Sequence, residues 1–332
     1  MALRVGINGF GRIGRLVLRA GLDEPDLEFI AVNDIADPET LAYLLQFDSI
    51  HGLLDEDVVP LGSGFSVDGQ DITVLRERDP AALPWKEMGV DLVIEASGKF
   101  SKGDAMRAHL EAGAKYVLIT APAEGVDGTF VVGVNDDQLD PAKHKIISSA
   151  SCTTNTLAVV AKVLHDAFTI ERGFMTTVHS YTNSQVLLDK PANKLRRSRA
   201  AALNLIPTTT GAAKTIEKVM PELSGKLDAM AIRSPNPAGS IVDLSVLLGR
   251  DVTADEVNNV FSEASETERL MDVLLISDDP LVSTDIVGTS FTAIVDAEST
   301  MANKNMAKVL AWYDNEWGYS CRVVDLAAHY AS

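Results

Sequence analysis

The sequence predicts an α/β protein: a doubly wound parallel sheet followed by an α+β part with a mixed or antiparallel sheet. Three observations carry that reading. Strand and helix signals alternate over residues 4–119, the pattern of parallel βαβ units with right-handed crossovers. After about residue 150 the rhythm changes to one long helix and then several alternating segments. The 332 residues are 46% hydrophobic and 23% charged, ordinary for a globular chain and enough for about two domains with buried cores.

Arg4-Val5-Gly6-Ile7-Asn8 reads as a short buried strand, and residues 12–20 as the helix after it. Leu27 to Val32 is a second strand and 38–46 a second helix. Asp91 to Ala96 is a third strand, 103–112 a helix, and Tyr116 to Ile119 another strand. Apolar residues at 157, 160, 161, 164, 167 and 168 share one face of a helix over 152–168. Phe174 to His179 is a strand candidate, followed by a polar and basic stretch over 180–200. Ala229 to Arg233, Ser240 to Leu248 and Phe291 to Val295 read as sheet strands. Residues 253–268 read as an exposed acidic helix, and the chain closes on a helix through Val323-Val324-Asp325-Leu326-Ala327-Ala328. Repeats and low-complexity tracts are absent from the sequence.

Lys and Arg number 29 against 47 Asp and Glu, a formal charge of −18. A nucleic-acid binder needs a cationic face, as does a protein held at an anionic membrane surface, so neither partner is expected. Two cysteines, Cys152 and Cys321, make no disulfide framework and suit a reducing compartment. Met1 to Gly6 lacks the charged region and long apolar stretch of a signal peptide, and no run of ~18 uncharged apolar residues occurs. The expected location is the cytoplasm.

Gly9-Phe10-Gly11-Arg12-Ile13-Gly14 is a G-x-G-x-x-G between a strand and a helix. Gly9 supplies a tight turn, Gly11 lets the backbone approach a pyrophosphate, and Gly14 allows close helix–strand packing. The helix start offers N–H donors and partial positive charge to the phosphates. Asp34 follows the second strand about 20 residues beyond Gly14, where the fingerprint needs an acid for the adenine-side ribose. Its charge repels a 2′-phosphate, which favours NAD over NADP. A glycine-rich turn without a ligand is the alternative, and the agreement of strand, glycines, helix and acid speaks against it.

Ser148-Ser149-Ala150-Ser151-Cys152-Thr153-Thr154-Asn155 stands at the change of rhythm. Ser151 is a helix N-cap candidate, which puts Cys152 in the first turn, where the dipole stabilises a thiolate. A lone Cys is also, in general, a small buried hydrophobe. His179 ends a strand signal and is the candidate partner that would activate Cys152 and shuttle a proton. A structural His is equally compatible with that position. The other histidines, at 51, 109, 144, 165 and 329, stand in no comparable setting. Arg196-Arg197-Ser198-Arg199 is the densest basic cluster, Thr208-Thr209-Thr210-Gly211 brings hydroxyls and a flexible backbone, and Arg233 follows a strand signal. Such groups suit phosphate oxygens, and a solvated basic loop bridging subunits is the alternative.

Together the segments at 7–15, 151–155, 176–183, 195–197, 206–214 and 312–319 resemble the phosphorylating glyceraldehyde-3-phosphate dehydrogenases. They are Ile-Asn-Gly-Phe-Gly-Arg-Ile-Gly-Arg, Ser-Cys-Thr-Thr-Asn, Thr-Thr-Val-His-Ser-Tyr-Thr-Asn, Leu-Arg-Arg, Ile-Pro-Thr-Thr-Thr-Gly-Ala-Ala-Lys and Trp-Tyr-Asp-Asn-Glu-Trp-Gly-Tyr. The resemblance spans nearly the whole chain. It implies a Rossmann-type NAD-binding domain over 1–151 and 316–332 and a catalytic domain over 152–315. It implies that Cys152 attacks the aldehyde of glyceraldehyde 3-phosphate, that His179 is the base, and that a thioester is released by inorganic phosphate as 1,3-bisphosphoglycerate. It maps Thr182 and Arg233 to the substrate's C3 phosphate, and Ser151, Thr153, Thr210, Gly211 and Arg197 to the attacking phosphate. Gly9, Gly11, Arg12, Ile13 and Gly14 would surround the pyrophosphate and Asp34 the ribose. Asn315 would hold the nicotinamide amide, and Arg78, Ser97 and Thr120 fill other cofactor positions. A cytoplasmic homotetramer acting in glycolysis is implied, with residues 180–200 at a subunit interface, and no metal.

Several positions depart from the family pattern. Thr156 stands where a second cysteine is usual, Ser184 where Asp is usual, and Arg233 is followed by Ser234-Pro235-Asn236. Lys190 replaces a common Leu beside Pro191 and would attract a 2′-phosphate, so NADP tolerance is expected beside NAD use. Erythrose-4-phosphate dehydrogenase shares the nucleophile motif and is the rival enzyme. A redox-sensing or RNA-binding role is the rival of another class, opposed by Thr156 and by the net charge.

Overall fold

In a computed structural model that describes residues 2–100 and 102–331, the alternating first part of the chain builds one nine-stranded sheet. Its elements in chain order begin with β1 (Leu3–Asn8), α1 (Arg12–Gly21), β2 (Leu27–Asn33) and α2 (Pro38–Gln46). A small separate hairpin follows, β3 (Phe47–Asp48) with β4 (Gly52–Leu53). Then come β5 (Val58–Leu61), β6 (Gly64–Val67), β7 (Gln70–Leu75), α3 (Trp85–Met88), β8 (Leu92–Glu95), α4 (Gly103–Glu111), β9 (Tyr116–Ile119), β10 (Gly128–Thr129) and β11 (Ile146–Ser148). The sheet order is β10-β11-β9-β8-β1-β2-β7-β6-β5. The strands from β10 to β7 are parallel, and β6 and β5 add an antiparallel edge. The run β7-β2-β1-β8-β9-β11 is the doubly wound order, whose direction reverses between β1 and β8; such folds take a dinucleotide at the carboxyl ends of those strands. Val5 and Ile7 of β1 and Leu92, Val93 and Ile94 of β8 are fully buried, as strands covered on both faces require.

The segment over 58–75, for which the alternation predicts no element, forms β5 to β7. Asp68 and Gly69 both take positive φ, 46° and 83°, and make the two-residue turn joining β6 to β7. That Asp-Gly was a readable hairpin signal; the parallel pattern around it masked it.

The rest of the chain builds a mixed eight-stranded sheet. It starts with α5 (Cys152–Phe168) and β12 (Ile170–Ser180), then β13 (Ile206–Thr209), α6 (Ala212–Val219), β14 (Leu227–Ser234) and β15 (Ser240–Leu248). It continues with α7 (Ala254–Ser265), β16 (Leu274–Ser277), β17 (Ala293–Asp296), β18 (Met301–Asn303), β19 (Met306–Tyr313) and α8 (Trp317–Ala328). The order is β13-β14-β12-β15-β19-β17-β16, with β18 also on β19. The pairs β12–β14 and β16–β17 are parallel, the others antiparallel. Helix α5 has the bounds its periodicity predicts. Helix α7 is shorter than 253–268 and not exposed all round: Thr253 and Glu256 form a capping box, and Val257 and Phe261, one turn apart, are buried.

Two compact units result, Met1–Phe130 with Asp136–Ala150 and Ser320–Ser332, and Val131–Asn135 with Ser151–Tyr319. Among the described residues no helix is long and apolar enough to cross a membrane.

Candidate active site

In the first unit β1 ends at Asn8 and the chain turns at Gly9, with φ +94°. A Cβ there would lie 2.4 Å from the backbone N and Cα of Ser97, so glycine alone lets the turn after β1 rest on the loop after β8. A Cβ on Gly14 would lie 2.2 Å from the Gly9 carbonyl oxygen. Gly11 is different: nothing lies within 4 Å of where its Cβ would be, and α1 has no capping side chain there. A helix start capped by glycine, with open space beside it, suits a pyrophosphate. These residues fit a dinucleotide.

The Arg12 guanidinium donates to both Asp48 oxygens, at 2.8 and 3.1 Å, which ties the start of α1 to β3. Burial opposes the Asp48 charge, yet Arg12 and the N–H groups of His51 and Ile50 outweigh it and hold the carboxyl well below the usual range. Asp34 accepts from Phe10 N at 2.9 Å and Ala36 N at 3.2 Å, which pins its charge to the glycine loop. Ser97 donates its N–H (2.8 Å) and its hydroxyl to the Glu95 carboxylate, and Thr120 donates its hydroxyl to the Glu95 carbonyl at 3.1 Å. Arg78 stands exposed in the loop after β7.

In the second unit Ser151 has extended backbone and its Oγ accepts from Thr154 N at 3.2 Å, which starts α5 at Cys152. Cys152 Sγ lies 3.5 Å from His179 Nε2. The parallel register of β12 and β14 sets Arg233 opposite His179, with its Nη1 donating to the Ser180 carbonyl at 2.8 Å. The same carbonyl lies 2.7 Å from His179 Nδ1 and accepts its proton, the tautomer that leaves Nε2 unprotonated towards Cys152, while Arg233 Nη1 packs against the ring at 2.7 Å from Nδ1. Burial pushes the Cys152 thiol up, against the pull of Arg233 and of hydrogen bonds from Thr153. Burial and then Arg233 push His179 down to about 3. Both shifts favour the uncharged forms, thiol and imidazole, against the thiolate preference that the helix start alone predicts. Cys152 is a free cysteine of intermediate exposure.

Arg197 donates from Nε to Thr208 Oγ1 at 3.1 Å and from Nη1 to Ser184 Oγ at 3.3 Å, and Ser184 bonds the Thr182 hydroxyl at 2.9 Å. Ser184 thus keeps a polar contact at the position where Asp is usual. Thr210 Oγ1 accepts from Ala212 N at 3.3 Å at the start of α6, where Gly211 leaves open space. Among the described residues no carboxylate pairs with Arg197 or Arg233, and the Arg197 charge is felt at both Arg233 and His179. Two unneutralised guanidiniums among hydroxyls suit phosphate dianions. Thr153 faces inward, its hydroxyl bonded to Tyr313 at 2.9 Å. Asn315 is buried and accepts from Ser240 Oγ at 2.8 Å.

Sequence reasoning missed the supports of this site. The Tyr313 hydroxyl bonds Thr153 and Thr177, each at 2.9 Å, and its ring meets His179 edge-on at 6.1 Å. Asn236 Nδ2 donates to Ser180 Oγ at 2.9 Å, and Ser234 Oγ to the His179 carbonyl at 3.2 Å, so the unusual Ser234-Pro235-Asn236 braces the His179 strand end. Their polar cluster after a strand was the only signal. Thr156 donates to the carbonyls of Cys152 (3.2 Å) and Thr292 (2.8 Å), so the hydroxyl is satisfied where a thiol is usual.

Residues 151–315 match the family description "Glyceraldehyde 3-phosphate dehydrogenase, C-terminal domain", and residues 3–103 match its NAD binding domain. Glyceraldehyde-3-phosphate dehydrogenase of Geobacillus stearothermophilus is 56% identical over 333 residues, covering 100% of this chain and 99% of its own. Glyceraldehyde-3-phosphate dehydrogenase 1 of Bacillus subtilis (strain 168) is 55% identical over 332 residues, covering 100% and 99%. The Kitasatospora aureofaciens enzyme of the same name is 55% identical over 323 residues, covering 97% of each.

Proposed function

The chain belongs to the glyceraldehyde-3-phosphate dehydrogenase family of NAD-dependent oxidoreductases, and on that premise we propose that it oxidises glyceraldehyde 3-phosphate with NAD and inorganic phosphate to 1,3-bisphosphoglycerate through a Cys152 thioester. The observation that carries this reading is the 3.5 Å approach of Cys152 Sγ to His179 Nε2 at the start of α5. Sγ adds to the aldehyde carbon while Nε2 takes the thiol proton, giving a thiohemiacetal. The Cys152 N–H, at the positive end of α5, and the protonated His179 donate to the oxyanion. Bound NAD supplies the hydride acceptor. Loss of hydride from C1 leaves the acyl thioester, with the displaced proton on His179. Inorganic phosphate then attacks the acyl carbon, the C–S bond breaks, and the Cys152 sulfur leaves with its electron pair.

Arg233 and Thr182 hold the C3 phosphate in this reading, and Arg197 with Ser151, Thr153, Thr210 and Gly211 holds the attacking phosphate. Two guanidiniums bonded to neutral partners, with no carboxylate paired to either among the described residues, support two anion subsites. The glycine turn with Arg12 and Ile13 takes the pyrophosphate and Asp34 the ribose, and the pinned Asp34 carboxylate supports NAD preference. Lys190, exposed in the loop over 180–200, supports weaker use of NADP. A cytoplasmic homotetramer in glycolysis completes the reading. Leu187, Leu188, Leu195 and Leu203 are 79%, 73%, 91% and 79% exposed in the single chain, which supports a subunit interface there.

The test is nicotinamide reduction with glyceraldehyde 3-phosphate, with and without inorganic phosphate, with NAD and NADP in parallel. Strong phosphate-dependent turnover with NAD is expected. Turnover indifferent to phosphate would overturn the second phosphate subsite, and none at all would overturn the reaction. Sedimentation velocity checks the tetramer.

A further inference from the structure

Behind the glycine turn of the first unit lies a buried polar chain that the proposed mechanism leaves unused. Glu95 ends β8 and is 2% exposed. Its Oε1 accepts from the Ser97 N–H at 2.8 Å and from the Ser97 hydroxyl. Its Oε2 accepts from Asn8 Nδ2 at 2.5 Å and lies 3.3 Å from His109 Nε2. Trp85 Nε1, a group that can only donate, lies 3.0 Å from His109 Nδ1. That contact fixes the ring: Nδ1 accepts, so the neutral imidazole carries its proton on Nε2 and donates it to Glu95. Asn8 Oδ1 accepts from Asn33 Nδ2 at 2.7 Å, and Asn33 Oδ1 accepts from Glu77 N at 2.9 Å. The carboxyl ends of β2, β1 and β8 are thereby tied together through side chains, at the ends where a doubly wound sheet takes its dinucleotide.

A buried carboxylate near a pyrophosphate seat is unfavourable for the ligand by charge alone, and an apolar side chain would fill the space. The carboxylate differs in gathering four donors, from the β1 end, the loop after β8 and α4, and so fixing their relative positions. Its partner Ser97 packs so closely on Gly9 that a Cβ there would lie 2.4 Å away, so a displacement of Ser97 displaces the glycine turn. We propose that Glu95, oriented by His109 and Trp85, is a positioning residue for cofactor binding, holding Ser97 and the Gly9 turn in register. The inference rests on the reading that this turn takes NAD.

The experiment is calorimetric titration of the full chain with NAD alone, for wild type, Glu95→Gln, His109→Leu and His109→Gln. Melting temperature and the rate of Cys152 alkylation by iodoacetamide without NAD are read on each. Glu95→Gln and His109→Leu are expected to weaken NAD binding about tenfold, the scale of losing a support behind a binding group. His109→Gln keeps an acceptor for Trp85 and a donor for Glu95, and is expected to bind NAD as wild type does. Alkylation of Cys152, which reports the second unit, is expected to be unchanged throughout. Wild-type affinity in both Glu95→Gln and His109→Leu would overturn the inference. So would a loss that His109→Gln fails to rescue, or one accompanied by a falling melting temperature and altered alkylation, which marks general destabilisation. If Glu95→Gln does not fold, the two His109 variants decide alone. A wild-type chain that does not bind NAD would overturn the cofactor reading itself, and this inference with it.

Discussion

The helix starts at the two candidate sites, one in each unit, are opposites. Helix α1 begins behind Gly11, with no capping side chain and open space beside it, so its positive end is left for a ligand. Helix α5 begins behind Ser151, whose hydroxyl accepts from Thr154 N, so its positive end is partly satisfied from within and carries a side chain, Cys152, instead. One dipole thus serves two purposes, and the cap decides which: glycine leaves backbone donors for an anion, serine stabilises the helix and presents a reactive group.

The largest effect expected from breaking this contrast is at the reacting atom. Cys152→Ser keeps the shape but removes the nucleophile, and turnover should fall by about 10⁴-fold or more with the circular dichroism spectrum unchanged. Substantial residual dehydrogenase activity would sink the thioester route. His179→Asn should lower kcat by about 10²–10⁴-fold, the usual contribution of a positioned base.

His179 also makes a stability prediction. The folded chain holds it neutral down to about 3, whereas the unfolded chain protonates it near its ordinary value of 6.5. The unfolded state therefore binds the extra proton between those values, and stability is lost as pH falls through that window, by at most about 1.4 kcal/mol per pH unit. Denaturant unfolding of wild type and His179→Asn at about pH 7 and about pH 5 reads the difference in slope; parallel slopes would contradict a buried neutral imidazole.

Gly11→Ser exchanges one kind of cap for the other. Gly11 has φ −73° and ψ −160°, ordinary extended backbone, so a serine fits and can cap α1. NAD affinity should drop by about tenfold as the hydroxyl competes for the first-turn donors, while stability holds or rises by a few tenths of a kcal/mol. The smallest expected effect is the converse. Ser151→Ala should cost about 1 kcal/mol of unfolding free energy, and no measurable loss would mean that the cap contributes nothing to α5.

What was legible in the sequence is what depends on near neighbours. The βαβ rhythm, the G-x-G-x-x-G with Asp34 after the second strand, the Ser151 cap and the bounds of α5 all follow from periodicity and spacing over a few turns of chain. The run of motifs also carried the family. The hairpin at Asp68-Gly69 was equally local but was overlooked inside a parallel pattern. What only the tertiary structure decided depends on burial and on register between distant strands. Arg233 stands beside His179 because β12 and β14 pair in parallel, 54 residues apart, and Tyr313 reaches Thr153 across 160 residues. Glu95 and His109 look unremarkable in sequence until the sheet brings Asn8, Ser97 and Trp85 around them. The shifts of Cys152 and His179 towards their uncharged forms arise in the same way, because desolvation is a property of the packed site and opposes what the helix start alone predicts.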